Sequence, residues 1–267
     1  MALRIVLAGA SGWVGQALAL EISRHPDFAL VAAVARRDSG RKLNEVVAGF
    51  DGDLFIVGTL EEALATPSEV LIDYTRPEVV KKHTLEALAA GHHVVIGTSG
   101  LNTDDYAEID SAAQSARRGV VAAGNFSVTA TLLRRFALEA ARFLPEVEVV
   151  EWGSAGKHDV PSGTGMELAD HLAQVRTGAA LLGRPEYTGR PEARGAAIGR
   201  QAPVQVHSVR LPSYTSSTEV MFGADGERLS IRQDAGSSAM PYVAGTLLAA
   251  QRVVSIIGLR RGLDSVM

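Results

Sequence analysis

A three-glycine turn between a short apolar run and a helical stretch is the feature of this sequence that most restricts its fold. The apolar run covers residues 3–8, and Gly9, Gly12 and Gly15 follow it at the start of a helix-forming stretch that ends at Arg24. At this spacing the first glycine permits a tight turn, the second lets a pyrophosphate approach the backbone, and the third lets helix and strand pack closely. An ordinary βα turn is the competing interpretation. The position between a strand and a helix favours a dinucleotide site, to which Ser11, Trp13 and Val14 of the same loop also belong.

Apolar runs and helical stretches alternate through the first 126 residues. The predicted strands there are 3–8, 29–34, 70–74, 94–97 and 119–122, and further predicted helices are 78–90 and 103–115. Such alternation is typical of an α/β fold with a doubly wound parallel sheet of the Rossmann type. The 46% hydrophobic content of the 267 residues is enough to build a core on both faces of that sheet.

After Asn125 the pattern changes to that of an α+β unit with an open mixed sheet. Its predicted helices are 128–142 and 163–174, its predicted strands are 148–152, 204–210, 218–222 and 228–233, and residues 177–202 are predicted to be an irregular connection. The turn at 224–226 predicts a hairpin between the last two strands. We therefore predict a dinucleotide-binding domain at 1–126, completed by a C-terminal helix within 240–267, and a second domain at 127–239.

Composition excludes several classes of function. The net charge of −4 gives no general attraction to nucleic acid or to an anionic membrane. The chain has no cysteine, so disulfides and thiolate metal sites are excluded, and His92-His93 alone seldom forms a metal site. No apolar run reaches the roughly 20 residues that span a bilayer, and the N-terminus carries no signal-peptide pattern. We expect a cytoplasmic protein without a metal, nucleic-acid or membrane partner.

The end of the second predicted strand indicates which dinucleotide binds. In Rossmann domains an acidic residue there bonds the ribose of NAD, whereas arginine accepts the 2′-phosphate of NADP. This chain has Arg36 and Arg37 after the strand and no acid at its end. Two solvated loop charges are the plainer interpretation, but the missing acid favours NADPH, with NADH as the alternative.

The segment from Lys157 to Thr164 could bind an anion. Lys157 supplies a cation, and Ser162, Gly163 and Thr164 begin a predicted helix with free backbone N–H groups. An ordinary helix capped by Ser162, with Lys157 as a surface charge, explains the same spacing equally well.

Several motifs, in order along the chain, resemble the 4-hydroxy-tetrahydrodipicolinate reductase family, also called dihydrodipicolinate reductases. The signature is K-x-D-x-P-S-G-T at 157–164. The segments that agree with it are the glycine loop, 72–77, 97–100, 125–127, 208–210 and the Gly-Leu-Asp at 262–264. The resemblance covers nearly the whole chain.

The resemblance implies an NAD(P)H-dependent oxidoreductase that reduces a cyclic unsaturated dicarboxylate on the route to lysine and diaminopimelate. It also implies that the second domain binds the small anionic substrate and that its sheet assembles a homotetramer. The predicted cofactor contacts that follow from it are Gly97, Thr98, Gly124, Asn125 and Phe126, and Thr75 is a further predicted cofactor contact. The predicted substrate contacts are Ser154, Lys157, Ser162, Gly163 and Thr164, with Lys157 as the catalytic candidate.

The chain departs from the family at the substrate side. Two adjacent histidines, one of them taken as the proton donor, usually stand where this chain has Gly153 and Ser154. Neither residue is a good general acid. Further departures are Gly124 for a proline, 216–218 for Gly-Glu-His, and Ala239 for an arginine. Three interpretations remain: a reductase of the usual substrate with Lys157 or water as the acid, a reductase of another imine or enamine, and a catalytically silent NADP-binding protein.

Overall fold

The computed structural model describes residues 1–176, 188–200 and 202–267. The elements of the first half are β1 (Leu3–Ala8), α1 (Trp13–Arg24), β2 (Phe28–Val34), β3 (Ile56–Val57), α2 (Leu60–Leu64), β4 (Val70–Asp73), α3 (Pro77–Ala89), β5 (His93–Ile96), α4 (Thr103–Ala116) and β6 (Gly119–Ala122). Those of the second half are α5 (Val128–Ala140), β7 (Glu146–Gly153), α6 (Gly163–Val175), β8 (Ala196–Ile198), β9 (Val204–Arg210), β10 (Ser216–Ala224), β11 (Glu227–Ala235), α7 (Met240–Val253) and β12 (Gly258–Arg261).

The chain divides into two compact units, Met1–Val128 with Ser238–Met267, and Thr129–Ser237. The boundaries expected from the sequence each lie two residues from this division. Among the described residues, none of the helices has the length and hydrophobicity that crossing a bilayer requires.

The first unit is built on a parallel seven-stranded sheet in the order β12-β6-β5-β4-β1-β2-β3. The predicted Rossmann fold is therefore confirmed. Side chains of β1 alternate between two cores: Ile5 and Leu7 pack with residues of α1 and α7, whereas Val6 packs with residues of α3 and α4. Helices cover both faces, which explains why these strands are almost continuously apolar.

Three short elements of this unit were not predicted. β3 and α2 lie between predicted elements, and β12 follows α7 and pairs in parallel with β6. The predicted C-terminal helix is present as α7, but it ends at Val253 and the strand that follows it was not predicted. The sequence of β12 is Gly-Leu-Arg-Arg, and only Gly258 in it is buried. An edge strand with exposed arginines lacks the apolar run by which the other strands of this sheet are recognised.

The second unit contains a mixed five-stranded sheet in the order β11-β10-β7-β9-β8. The predicted open mixed sheet is confirmed, and the predicted hairpin joins β10 and β11 through a turn in which Gly226 has a φ of 78°. The irregular connection predicted at 177–202 was wrong in one respect, because it contains β8 and a short 3-10 helix at Pro191–Arg194. Residues 177–187 and 201 of that prediction lie outside the described residues.

Candidate active site

The glycine loop lies between β1 and α1, as predicted, and two of its glycines are required by packing. Gly9 has a φ of 87°, and a side chain there would overlap the carbonyl oxygen of Tyr74. A side chain on Gly15 would overlap the carbonyl oxygen of Gly9. The reasons given for the first and third glycines from the sequence are therefore confirmed. Gly12 is the N-cap of α1 and is exposed.

The N-terminus of α1 can receive an anion because no side chain of this loop caps it. Gly12 offers no side-chain acceptor to the first turn. The first N–H groups of a helix have no partner within the helix, and together with the helix dipole they attract phosphate groups. Trp13 and Val14, the first two residues of α1, would present such N–H groups to the cofactor.

Arg36 and Arg37 begin a short 3-10 helix directly after β2. Both are exposed, and within the described part of the chain neither guanidinium has a hydrogen-bond or ion-pair partner. Their neighbour Asp38 is bound instead by Arg41, at 2.9 Å. Both cations are thus free to receive a phosphate.

Asp73 is the centre of a buried hydrogen-bond network at the carboxyl end of β4. Its Oδ1 accepts hydrogen bonds from the Thr75 backbone N–H at 2.9 Å, the Thr75 hydroxyl at 2.6 Å and the Thr98 hydroxyl at 2.9 Å. His83 Nδ1 lies 2.8 Å from its Oδ2. The links from Asp73 to Thr98 and His83 were not predicted from the sequence. The network fixes two of the predicted cofactor contacts.

An aromatic cleft brings together six of the predicted cofactor residues. It is lined by Trp13, Val14, Tyr74, Gly97, Gly124, Asn125, Phe126 and Tyr242. Gly97 is required there, because a side chain would overlap the Tyr74 ring. Burial raises the pKa of the Tyr74 hydroxyl, which hydrogen-bonds Thr246 of α7 at 2.7 Å. The Tyr74 phenol therefore stays neutral, and its ring forms part of the lining of the cleft.

Tyr74 and Tyr242 were not predicted as parts of this cleft. Tyr242 lies in α7, far along the chain from the glycine loop, and its ring meets that of Trp13 edge to face at 5.8 Å between centroids. The available signal was an aromatic residue at the start of an otherwise aliphatic final helix. Ser11, Arg36, Arg37, Thr75 and Thr98 are not among the residues that line the cleft.

The predicted substrate residues lie between the end of β7 and the first turn of α6. Ser154 is exposed, and its carbonyl accepts a hydrogen bond from the Lys157 N–H at 3.0 Å. The Lys157 side chain is 32% exposed, with Nζ 3.7 Å from Oδ2 of Asp159. Gly163 and Thr164 are the first two residues of α6, and both are exposed.

Ser162 is the N-cap of α6, and its hydroxyl accepts the Gly165 N–H at 3.1 Å. The capped helix considered from the sequence is therefore present. It leaves the N–H groups of Gly163 and Thr164 available to an anion, since Ser162 is bonded to a later residue of the turn. A direct contact between the buried Ser162 and a substrate stays a prediction.

A buried ion pair, which the sequence analysis missed, supports this loop. Glu151 of β7 is 3% exposed, and its Oε1 lies 2.7 Å from Nη2 of Arg210, the last residue of β9. Oε1 also accepts the Ser162 N–H at 3.2 Å. Burial alone would raise the pKa of Glu151, but the hydrogen bonds from Arg210 and Ser162 outweigh it and lower that pKa. Glu151 is therefore held as a carboxylate beneath the loop.

Family models cover nearly the whole chain. One, described as "Dihydrodipicolinate reductase, N-terminus", matches residues 3–126, and the other, "Dihydrodipicolinate reductase, C-terminus", matches residues 129–263. The chain belongs to the dihydrodipicolinate reductase family. The resemblance stated from its motifs is confirmed, and with it the assignment to NAD(P)H-dependent oxidoreductases.

Relatives in this family are similar over their full length. The 4-hydroxy-tetrahydrodipicolinate reductase of Desulfitobacterium hafniense strain DCB-2 is 34% identical over 269 residues, which cover 98% of both chains. The enzyme of the same name from Bacillus subtilis strain 168 is 35% identical over 266 residues, 99% of this chain and 98% of the other. A dipicolinate-bound dihydrodipicolinate reductase from Paenisporosarcina sp. TG-14 has a TM-score of 0.88 and 28% identity, with each chain covered completely.

Proposed function

We propose that this chain is an NADPH-dependent reductase of 4-hydroxy-tetrahydrodipicolinate, a cyclic unsaturated dicarboxylate of the route to lysine and diaminopimelate. The observation that carries the proposal is full-length similarity to reductases of that name, combined with retention of the Lys157–Thr164 signature. The exposure of Gly163 and Thr164 at the start of α6 keeps that signature accessible to a ligand.

The first unit would hold the cofactor. The uncapped N-terminus of α1 would bind the pyrophosphate, and the aromatic cleft with Gly97, Asn125 and Phe126 would receive the nicotinamide. Arg36 and Arg37 would bind the 2′-phosphate, which favours NADPH over NADH. The bound nicotinamide supplies the hydride.

The second unit would hold the substrate. Lys157 and the N–H groups of Gly163 and Thr164 would bind a carboxylate. The dipicolinate in the Paenisporosarcina enzyme is a cyclic dicarboxylate, which supports a substrate of the same charge and shape here. Homotetramer assembly and a cytoplasmic location belong to the same proposal by family resemblance.

Lys157 is the proposed proton donor. With Gly153 and Ser154 at the positions of the usual histidines, the Lys157 ammonium would be the acid for the ring as it accepts hydride, in preference to the adjacent His158. It would recover a proton from water after each turnover. A lysine is a weaker acid than an imidazolium at neutral pH. In the alternative route, a substrate already protonated at nitrogen would accept the hydride without a proton from Lys157.

The absent histidines also favour a second candidate, a reductase of a different cyclic or linear imine. One assay separates the candidates: oxidation of NADPH is followed with enzymatically generated hydroxytetrahydrodipicolinate and with a panel of imines. Turnover of the first substrate supports the main proposal, and turnover only of others supports the second. Inactivity on all of them, with NADPH still bound, would overturn both and leave a silent binding protein.

A further inference from the structure

We propose that Gly153 is a positioning residue for Lys157, and that the missing side chain at this position is a requirement of this site rather than a loss. The inference rests on the proposed function, since Lys157 is its catalytic residue. It also makes a claim about structure that can be tested without turnover.

Gly153 ends β7 between two neighbouring strands. In the sheet it pairs with Arg210 of β9 on one side and with Ser216 of β10 on the other. Gly153 is buried, and its φ lies outside the left-handed region, so the backbone itself would accept any residue. Only the surrounding side chains decide what fits there.

Two cationic side chains occupy the space that a side chain on Gly153 would need. A Cβ atom built there would lie 3.0 Å from Cδ of Lys157 and 3.3 Å from both Cζ and Nε of Arg210. The contact with Lys157 is tighter than carbon atoms normally tolerate without movement. A Cβ atom at position 153 would therefore displace the Lys157 stem from its present position by a few tenths of an ångström, and a larger side chain would displace it further.

Arg210 is held in place, so Lys157 is the side chain that would have to move. The Arg210 Nη2 atom donates to Glu151 Oε1 at 2.7 Å and to the Asp159 carbonyl oxygen at 2.6 Å, and Nη1 donates to the Val209 carbonyl oxygen at 2.9 Å. Among the described residues, the ammonium group of Lys157 is held only by the 3.7 Å contact with Asp159. The glycine thus allows the Lys157 stem to lie across the end of β7.

The chain offers a matched control in the same loop. Gly156 is exposed, has a φ outside the left-handed region and, apart from its two neighbours in the chain, has no atom within 4 Å of a built Cβ atom. Gly156→Ala therefore adds the same methyl group as Gly153→Ala, but at an open position of the loop instead of in the buried space beside Arg210. The sequence contains four lysines, at 42, 81, 82 and 157, so labelling lysine with ¹³C at Cε gives few NMR signals.

The first measurement records the Lys157 Cε signal, assigned with Lys157→Arg, in each variant. Gly153→Ala and Gly153→His should shift this signal, and Gly156→Ala should leave it in place. A Lys157 signal that is unchanged in Gly153→His would overturn the proposal, whether or not the protein turns over any imine. Cofactor affinity and the circular dichroism spectrum verify that each variant is folded.

The second measurement uses the substrate that the wild-type chain reduces. Gly153→Ala should lower kcat/KM by up to about 10-fold, since a displacement of a few tenths of an ångström costs less than the roughly 100-fold of a 1 Å misplacement, while Gly156→Ala stays near wild type. Gly153→His should not restore activity even though it supplies the family's imidazole. A gain in kcat with Gly153→His contradicts the proposal. A wild-type protein without turnover contradicts the proposed function alone, because the NMR result still decides the position of Lys157.

Discussion

The hydroxyl of Thr98 donates a hydrogen bond to the carboxylate of Asp73 at 2.9 Å, and this bond joins the carboxyl ends of β4 and β5. The same carboxylate carries both bonds from Thr75 and the contact with His83. Two threonines expected to touch the cofactor are thus oriented by one acid that is completely buried.

Asp73→Asn should therefore weaken both folding and cofactor binding. An amide replaces one acceptor oxygen with a donor, so at least one of the four bonds is lost, which lowers the free energy of unfolding by about 1–3 kcal/mol. Urea unfolding and a cofactor titration measure the two effects. Asp104→Asn is the control, because Asp104 is an exposed acid in the first turn of α4. Equal behaviour of the two variants would rule out the orienting role of Asp73.

Arg36→Ala and Arg37→Ala should weaken NADPH binding without changing NADH binding. Each guanidinium is exposed and unpartnered among the described residues, and a bond to a charged group contributes about 1.5–3 kcal/mol, or roughly 10- to 100-fold in affinity. Arg41→Ala, which removes a cation already paired with Asp38, is the matched control. An equal loss of affinity for NADPH and for NADH would show that neither arginine binds the 2′-phosphate.

Trp13 should report cofactor binding through its fluorescence. The chain has two tryptophans, and only Trp13 lines the aromatic cleft, where it is 57% exposed. Trp152→Phe should keep the change in tryptophan emission on cofactor addition, and Trp13→Phe should lose it. Tyr242→Ala should weaken binding by about 3- to 10-fold through the lost edge-to-face partner. If Trp152→Phe lost the emission change and Trp13→Phe kept it, the cofactor would bind away from the aromatic cleft.

Lys157→Met should remove most turnover and leave cofactor affinity intact. Methionine keeps the length of the stem but supplies neither the proton nor the positive charge, and a positioned acid contributes about 10²- to 10⁴-fold. Steady-state kinetics and a cofactor titration give the two quantities. Lys82→Met, in which an exposed lysine of α3 is changed, controls for loss of a charge. Normal turnover by the Lys157 variant would remove this residue from the chemistry.

Acid should destabilise the second unit through Glu151. Its pKa is lowered from 4.5 in the folded chain, so its stabilising contribution is complete above that value and is lost as pH falls through the folded pKa. Glu151→Gln should cost about 3–5 kcal/mol at neutral pH, because Arg210 then loses its buried partner, and should flatten the acid side of the stability curve. Urea unfolding across pH tests this, with the exposed Glu167→Gln as control. An unchanged acid slope would contradict it.

Sequence periodicity predicted the regular elements well where burial is complete. β1, β6 and β9 begin and end at the predicted residues. β1 and β6 are recognised as mainly apolar runs of a buried parallel sheet, whereas β9 mixes apolar and polar residues because it is buried only in its first half. β3 and β12 were missed because two or four residues at a sheet edge carry too little pattern to be recognised. The sequence therefore predicted the parallel sheet but not its two edge strands, β3 and β12.

The candidate site was predicted in part for a different physical reason. Motif spacing located the glycine loop and the Lys157–Thr164 segment, because both act through local backbone geometry. The pairs Asp73–His83 and Glu151–Arg210 join residues on different elements, and no local pattern indicates which acid meets which cation. The same holds for the two cations beside Gly153, which only the packing of β7 against β9 reveals.

The pairing of β12 with β6 has a consequence for biosynthesis. Residues 258–261 leave the ribosome only after all of 129–237 has been made. Until then β6 is an edge strand without its partner β12. An unpaired edge strand is a template for unwanted strand addition. During translation the dinucleotide-binding unit therefore keeps an unpaired strand at its sheet edge until residues 258–261 are made, although most of this unit is synthesised first.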